Sequence, residues 1–195
     1  MYTIIGLGNP GDEYKKTRHN AGRIALESIA KKRDFSEWKK DLKLKALVAT
    51  GMLGKKKVSF ILPETFMNNS GISVKPLVKS KKDLTNIVIL NDDLDIPLGK
   101  IKISFDKSAG GHNGVASIVK AVKAQEFTRV RIGVSPSTAK GAVRRPDSEK
   151  LGAFLVEKDL RENEYAELKK AIKKIDEALV VLVNDGRGKA MSEFN

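Results

Sequence analysis

Apolar and polar residues recur along this chain in two periods, and their order predicts strands interleaved with helices. Tyr2–Leu7 is a short apolar run ending in glycines, which reads as a buried strand. Asn20 stands where it would cap a helix running to Lys32, with Ile24, Leu26, Ile29 and Ala30 on its inner side. Lys45–Thr50 and Lys57–Leu62 bracket Gly51-Met52-Leu53-Gly54, the pattern of a hairpin with a glycine-bearing loop. A helix starting at Asn69 or Ser70 carries Val74, Leu77 and Val78. Asn86–Leu90 is a buried β-branched strand, and Lys100–Phe105 alternates basic and apolar residues like a strand with one wet face. A helix over Asn113–Ala124 and a strand over Arg129–Val134 follow. Ser135–Asp147 holds two prolines and an Arg144-Arg145 pair without any period, and reads as a mobile loop. The last helix, Leu160–Asn184, repeats Leu168, Ile172, Ile175, Leu179 and Leu182 on one side. Its Lys169, Lys170, Lys173 and Lys174 make a basic stripe on another. The sum is one α/β domain over residues 1–195, with a twisted, mixed and mainly parallel sheet flanked by helices.

Charge narrows the class of partner. Lys and Arg number 37 against 24 Asp and Glu in 195 residues, a net charge of +13 that attracts polyanions such as nucleic acid or an anionic lipid surface. Aromatics make up only 6% of the chain, which argues against a surface built to stack single-stranded bases. Cysteine is absent, so disulfides and thiolate metal sites are excluded. No apolar run approaches the length of a membrane span, and the glycines in MYTIIGLGNPG interrupt any signal-peptide core. The expectation is a soluble cytoplasmic protein with no membrane partner.

Polar clusters fall where predicted strands end, the position at which open α/β sheets place their sites. Gly6-Leu7-Gly8-Asn9-Pro10-Gly11 has the form G-x-G-x-x-G, on an exposed turn. A dinucleotide site needs a helix opening inside those glycines; Pro10 removes an N–H, and Asp12-Glu13 would repel a pyrophosphate. Thr17-Arg18-His19-Asn20 carries one of only two histidines, between a loop and a helix start. Asn91-Asp92-Asp93-Leu94-Asp95 follows an apolar strand, so a carboxylate there can orient an imidazole and stabilise its charged form. The same acids offer oxygen ligands to a hard divalent cation, but an extended backbone sends Asp92 and Asp93 to opposite sides. Asn68 and Asn113 sit in glycine-bearing loops, and each amide can accept from and donate to a peptide group. Asn9, Asn68 and Asn113 with His19 and Asp92 would form a pocket rich in amides and poor in charge. That inventory suits hydrolysis of a carbonyl compound by a water that His19 deprotonates, with His112 the next choice of base. No G-x-S-x-G elbow marks a serine nucleophile.

These motifs, in this order, resemble a known family. GLGNPG with Tyr14 and TRHNAG, then PETFMNNSG, NDDLDIPLGK, SAGGHNG, FTRVRIGVSP and LGAFL are similar to the bacterial-type peptidyl-tRNA hydrolases over nearly the whole chain. The resemblance implies a monomeric enzyme that cleaves the ester between peptide and tRNA without metal or cofactor, and so recycles tRNA. It implies His19 as the base, Asp92 as its supporting carboxylate, and Asn9 as the contact that tells blocked from free aminoacyl-tRNA. Tyr14, Phe66, Asn68 and Asn113 match residues lining the groove for the 3′ end beside the acceptor stem. Arg131 matches a cation for the tRNA terminal phosphate. The usual basic companion of Arg131 is replaced by Ser104, leaving Lys102 or Lys107 as substitutes, and Asn91 replaces an aromatic or His.

Two other classes compete on the residues alone. A nucleotide-dependent oxidoreductase would use the glycine turn and bind NADH tightly. A non-enzymatic RNA-binding module would hold tRNA without cleaving any ester.

Overall fold

The computed structural model describes residues 1–138 and 142–195. Seven strands form one sheet: β1 (Tyr2–Gly6), β2 (Lys39–Asp41), β3 (Ala46–Leu53), β4 (Lys56–Pro63), β5 (Ile87–Pro97), β6 (Ile101–Phe105) and β7 (Thr128–Ser135). Their spatial order is β2-β3-β4-β1-β5-β7-β6. The centre is parallel, β4 with β1, β1 with β5 and β5 with β7, while both margins are antiparallel. The mixed character expected from the sequence therefore divides into a parallel core and antiparallel edges.

Helices cover both faces. α1 (Ala21–Lys32), α5 (Glu162–Asp185) and α6 (Arg187–Phe194) pack on one side around Ile4, Leu26, Phe60, Val88, Leu179 and their neighbours. Two short helices, α2 (Gly71–Val74) and α3 (Lys81–Leu84), pack with α4 (Asn113–Val122) on the other, around Ile5, Ile61, Ile89, Val115 and Phe127. Burying each such Leu, Ile or Phe contributes about 1.5–3 kcal/mol, which is why the alternation along each strand fixes its two faces. Among the described residues no helix is long and apolar enough to cross a membrane.

Several local expectations change. Gly51 and Met52 lie inside β3, and only Gly54-Lys55 separates it from β4. Gly51 is required by packing, because a Cβ there would run into the Phe35 ring. β5 continues beyond Leu90 through the acidic cluster, with an irregularity between Asp93 and Pro97. Asn20 precedes α1 but makes no side-chain cap, since its amide is committed elsewhere. α5 stops at Gly186, and α6 was not foreseen. Of the expected mobile loop 135–147, residues 139–141 lie outside the described residues; on either side Ser137 bridges Val143 and Arg144 N donates to Pro136 O.

Candidate active site

α1 approaches β5 more closely than a side chain would permit. A Cβ on Gly22 would collide with the Leu90 carbonyl, so glycine at that place lets the first turn of α1 sit against the strand. The turn Arg18–Asn20 ahead of α1 is thereby brought to the carboxyl edge of the sheet, beside Asp92.

Asp92 is 3% exposed and lies between two imidazoles. His19 Nδ1 donates to Asp92 Oδ1 at 2.9 Å and Oδ2 at 3.1 Å, and His112 Nε2 donates to Oδ1 at 2.9 Å. The tautomer of His112 follows from its other nitrogen. Nδ1 accepts from Gly114 N at 3.1 Å and Val115 N at 3.3 Å, capping α4, so the ring proton sits on Nε2. For His19, the Asp92 contact places the proton on Nδ1 and leaves Nε2 without a hydrogen-bond partner among the described residues, on a ring that lines a cavity. Burial opposes charge on this imidazole, but the Asp92 carboxylate beside it prevails and raises its pKa above the ordinary 6.5. Burial would likewise raise the Asp92 pKa; the two imidazoles outweigh it and hold the carboxyl well below the usual carboxylate range.

The cavity measures about 700 Å³ and combines His19, Asp92, His112 and Asn113 with an apolar wall of Leu94, Leu151, Leu155 and Val156. It is more charged than an amide-rich pocket was expected to be, because Asp93, Asp95 and Arg145 also line it. Those acids are paired: Arg131 Nε donates to Asp93 Oδ2 at 2.6 Å, and Arg145 Nη2 meets Asp95 Oδ1 at 2.6 Å. Asp92, Asp93 and Asp95 therefore serve separate partners and do not converge on one cation. His19, Asp92 and His112 do place ligand atoms within 4.8 Å of one another. Each nitrogen, however, meets the carboxylate as an N–H donor, and the His112 cap fixes that proton. This donor set is satisfied internally and is ill suited to a metal.

Asn9 is buried, not exposed on its turn, because its groups are used inside the protein. Asn9 N donates to Asn20 Oδ1 at 2.8 Å, Asn20 Nδ2 returns a bond to Asn9 O at 2.9 Å, and Met67 N donates to Asn9 Oδ1 at 2.8 Å. Only Asn9 Nδ2 is left for a ligand among the described contacts. The turn Met67–Asn69 leaves Asn68 exposed and packs on α4, so Asn68 and Asn113 come from adjoining elements; Phe66, just before it, is 56% exposed. Tyr14 is half-buried in the turn Asp12–Tyr14. Arg131 reaches the cavity through Asp93 and does not line it. That turn, with Arg18–Asn20 behind it, also separates the glycines from α1, which is incompatible with a dinucleotide-binding helix start.

Arg18 is a structural residue that the motif alone did not single out. It is 3% exposed; Nη2 donates to Glu164 Oε2 at 2.6 Å and Nη1 to the Phe154 and Lys158 carbonyls. The side chain thus ties the His19 turn to the segment forming the apolar wall. Its signal in the sequence, an Arg beside a helix-start His, says nothing of a partner so far along the chain. The role of His112 was equally hidden, since a Gly-Gly-His-Asn run looks like any turn before a helix.

Fold and site together define a three-layer α/β enzyme with an imidazole–carboxylate–imidazole cluster at the carboxyl edge of its sheet. A family model described as peptidyl-tRNA hydrolase matches residues 3–195. A peptidyl-tRNA hydrolase of Thermoanaerobacter sp. (strain X514) is 40% identical, and one of Alkaliphilus oremlandii (strain OhILAs) is 37% identical, each covering 100% of both chains. The crystal structure of peptidyl-tRNA hydrolase from Acinetobacter baumannii superposes with a TM-score of 0.87 at 32% identity, covering 100% of this chain and 94% of that one. This chain belongs to the peptidyl-tRNA hydrolase family, hydrolases of an ester bond that release tRNA from peptidyl-tRNA.

Proposed function

We propose that His19 Nε2 is the general base that activates water for cleavage of the peptidyl-tRNA ester. The observation that carries this is the His19 Nδ1–Asp92 bond, which leaves an unprotonated Nε2 with no hydrogen-bond partner among the described residues, on a cavity-lining ring. Water bound at Nε2 gives up its proton as its oxygen attacks the ester carbonyl. The tetrahedral intermediate collapses with departure of the ribose oxygen, which takes the proton back from His19. Asp92 stabilises the imidazolium in between, and no covalent enzyme intermediate forms. Asn68 and Asn113 supply amide donors for the carbonyl oxygen or the attacking water.

Asn9 Nδ2 donates to the acyl carbonyl that is present only when the substrate's amino group is blocked. Tyr14 and Phe66 line the path of the 3′ end, and Arg131, held by Asp93, faces a terminal phosphate. The internally satisfied His–Asp–His cluster supports a reaction without metal or cofactor. We place the enzyme in the cytoplasm as a monomer whose partner is the acceptor stem and 3′ end of peptidyl-tRNA. The net charge of +13 fits a partner read through its backbone and shape, as an enzyme accepting every tRNA requires.

Incubating the protein with N-acetyl-aminoacyl-tRNA and with free aminoacyl-tRNA, both in EDTA, tests this reading. Release from the blocked substrate alone is expected. Activity lost in EDTA and restored by Mg²⁺ would contradict it.

A further inference from the structure

The start of α1 grips the segment that carries Phe66 at two places. One grip is the chain of bonds from Asn20 through Asn9 to Met67 N. The other is Arg23, four residues after His19, whose side chain is only 13% exposed. Its Nη1 donates to Pro63 O at 3.0 Å, Nη2 to Glu64 Oε1 at 2.7 Å, and Nε to Glu27 Oε1 at 3.2 Å. Glu27 lies one turn along the same helix and holds the guanidinium plane, so the fork points at the end of β4. The backbone beneath is fixed as well. Arg23 N donates to Leu7 O at 3.0 Å, and a Cβ on Gly8 would fall 2.8 Å from Arg23 Cβ. Glycine at position 8 thus lets α1 pack against the turn that follows β1.

The two grips enclose a short stretch of chain. Between Glu64 and Met67, Thr65 Oγ1 has no hydrogen-bond partner among the described residues, and Phe66 is 56% exposed. The Phe66 ring therefore takes its place from the main chain, held on one side by Arg23 and on the other by Asn9. Asn68 lies beyond the Met67 anchor, so Arg23 bears on Phe66 and Asn9 on Asn68. Arg23, Glu27 and Glu64 also line a cleft of about 200 Å³ with Gly11, Asp12 and Lys15. Water in that cleft can take over the Pro63 carbonyl once the guanidinium is removed, so loss of Arg23 releases the segment without stranding a buried group.

We propose that Arg23 is a positioning residue that fixes Phe66 relative to His19, so that one guanidinium sets the register between the substrate's 3′ end and the general base. The inference rests on the reading of Phe66 as part of the 3′-end path and of His19 as base. Both groups then hang from a single element: His19 from the turn leading into α1, and Phe66 from a side chain at the start of that helix. A shift of the ring carries the ester away from His19 Nε2, and a displacement of about 1 Å can cost about a hundredfold in rate.

The test uses the full chain with 4-fluorophenylalanine at position 66 alone, and kinetics of the unlabelled protein on N-acetyl-aminoacyl-tRNA. Arg23→Met keeps much of the side chain's length and loses every donor. Its fluorine resonance should shift or broaden, and kcat should fall about tenfold while tRNA affinity stays within about twofold. In a Phe66→Ala background the same substitution should change kcat by less than about twofold, since no ring remains to be placed. A resonance unmoved in folded Arg23→Met overturns the inference. So does an equal loss of kcat in both backgrounds, which a general loosening of the fold would give. Glu64→Ala removes one of the two bonds at a more exposed site, and should move both readouts the same way by less. It decides the matter if Arg23→Met fails to fold, and no movement in either readout overturns the inference. Failure of the Phe66 reading would appear separately, as Phe66→Ala cleaving at the unmodified rate, and failure of the base assignment as cleavage that survives His19→Ala.

Discussion

Asn9 and Asn20 hold each other by reciprocal bonds, Asn9 N to Asn20 Oδ1 at 2.8 Å and Asn20 Nδ2 to Asn9 O at 2.9 Å. This clamp joins the glycine turn after β1 to the turn that carries His19, and it uses the amide that would otherwise have capped α1. Asn9 Oδ1 is committed as well, to Met67 N.

The two substitutions at Asn9 should therefore separate. Asn9→Asp keeps an acceptor for Met67 N but removes the Nδ2 donor, so it should retain most stability and lose discrimination between blocked and free substrates. Asn9→Ala leaves Met67 N without its partner and should destabilise the fold by about 1–3 kcal/mol. Denaturant melts and the ratio of cleavage rates on the two substrates check both. An unchanged ratio in Asn9→Asp would remove Asn9 Nδ2 from recognition.

Arg18 and Glu164 form a buried pair, with side chains 4% and 11% exposed. Arg18→Ala strands a buried carboxylate whose pKa is held down, against burial, by the Arg161 backbone N–H and by Arg18 itself. Breaking one half of such a pair costs about 3–5 kcal/mol. Chemical denaturation should show a loss of that order, whereas Glu164→Gln, which keeps an acceptor, should lose less.

The elements with strong period were legible in the sequence, and the local exceptions were not. β1, α1, β7 and α5 each carry enough alternating or helical spacing to be located within a residue or two. β2, α3 and α6 are short and carry little period of their own; β2 exists by pairing with β3, and α6 by packing on α5 and β6. His19 and Asp92 could be singled out because one stands just before a helix start and the other just after the apolar run Ile87–Leu90, although β5 continues past it. Asn9 looked exposed because glycine turns usually are, and its burial comes from Met67 and Asn20, neither of which the motif announces. Arg18 owes its role to Glu164, a contact that exists only after the sheet has closed.

The lysines of α5 are exposed along its length, and Lys170 is neutralised in part by Glu167 at 2.6 Å. If the stripe meets RNA, log affinity for tRNA should fall steeply with log salt, at about 0.7–0.9 per phosphate contact. Lys170→Glu with Lys174→Glu should flatten that slope and raise KM for intact tRNA, leaving kcat on a short aminoacyl-nucleotide fragment unchanged. Filter-binding titrations over a salt series decide it. An unchanged slope would make the stripe a solvated face only.

The raised pKa of His19 sets the pH behaviour. As the proposed base, His19 would work unprotonated, so activity should fall as pH drops through a value above 6.5. Asp92→Asn removes the charge that holds the pKa up, so the acid limb should move to lower pH at a reduced maximum rate. Stability carries the opposite sign. Because the folded pKa of His19 lies above its unfolded value, its contribution is full below about pH 6.5 and is lost as pH rises through the folded pKa. The depressed pKa of Asp92 contributes stability above the ordinary carboxylate value, lost only as pH falls through the folded one. Paired pH–rate and pH–melting curves for the two proteins would show both trends.

Single-turnover cleavage of N-acetyl-aminoacyl-tRNA by the unmodified enzyme and by His19→Ala tests the central assignment most directly. General-base catalysis contributes about 10²–10⁴-fold, so the variant should lose cleavage by that factor while tRNA affinity stays within a few-fold. A variant that binds tRNA and keeps about a tenth or more of the rate, well short of that expected loss, would place the base elsewhere and contradict the account.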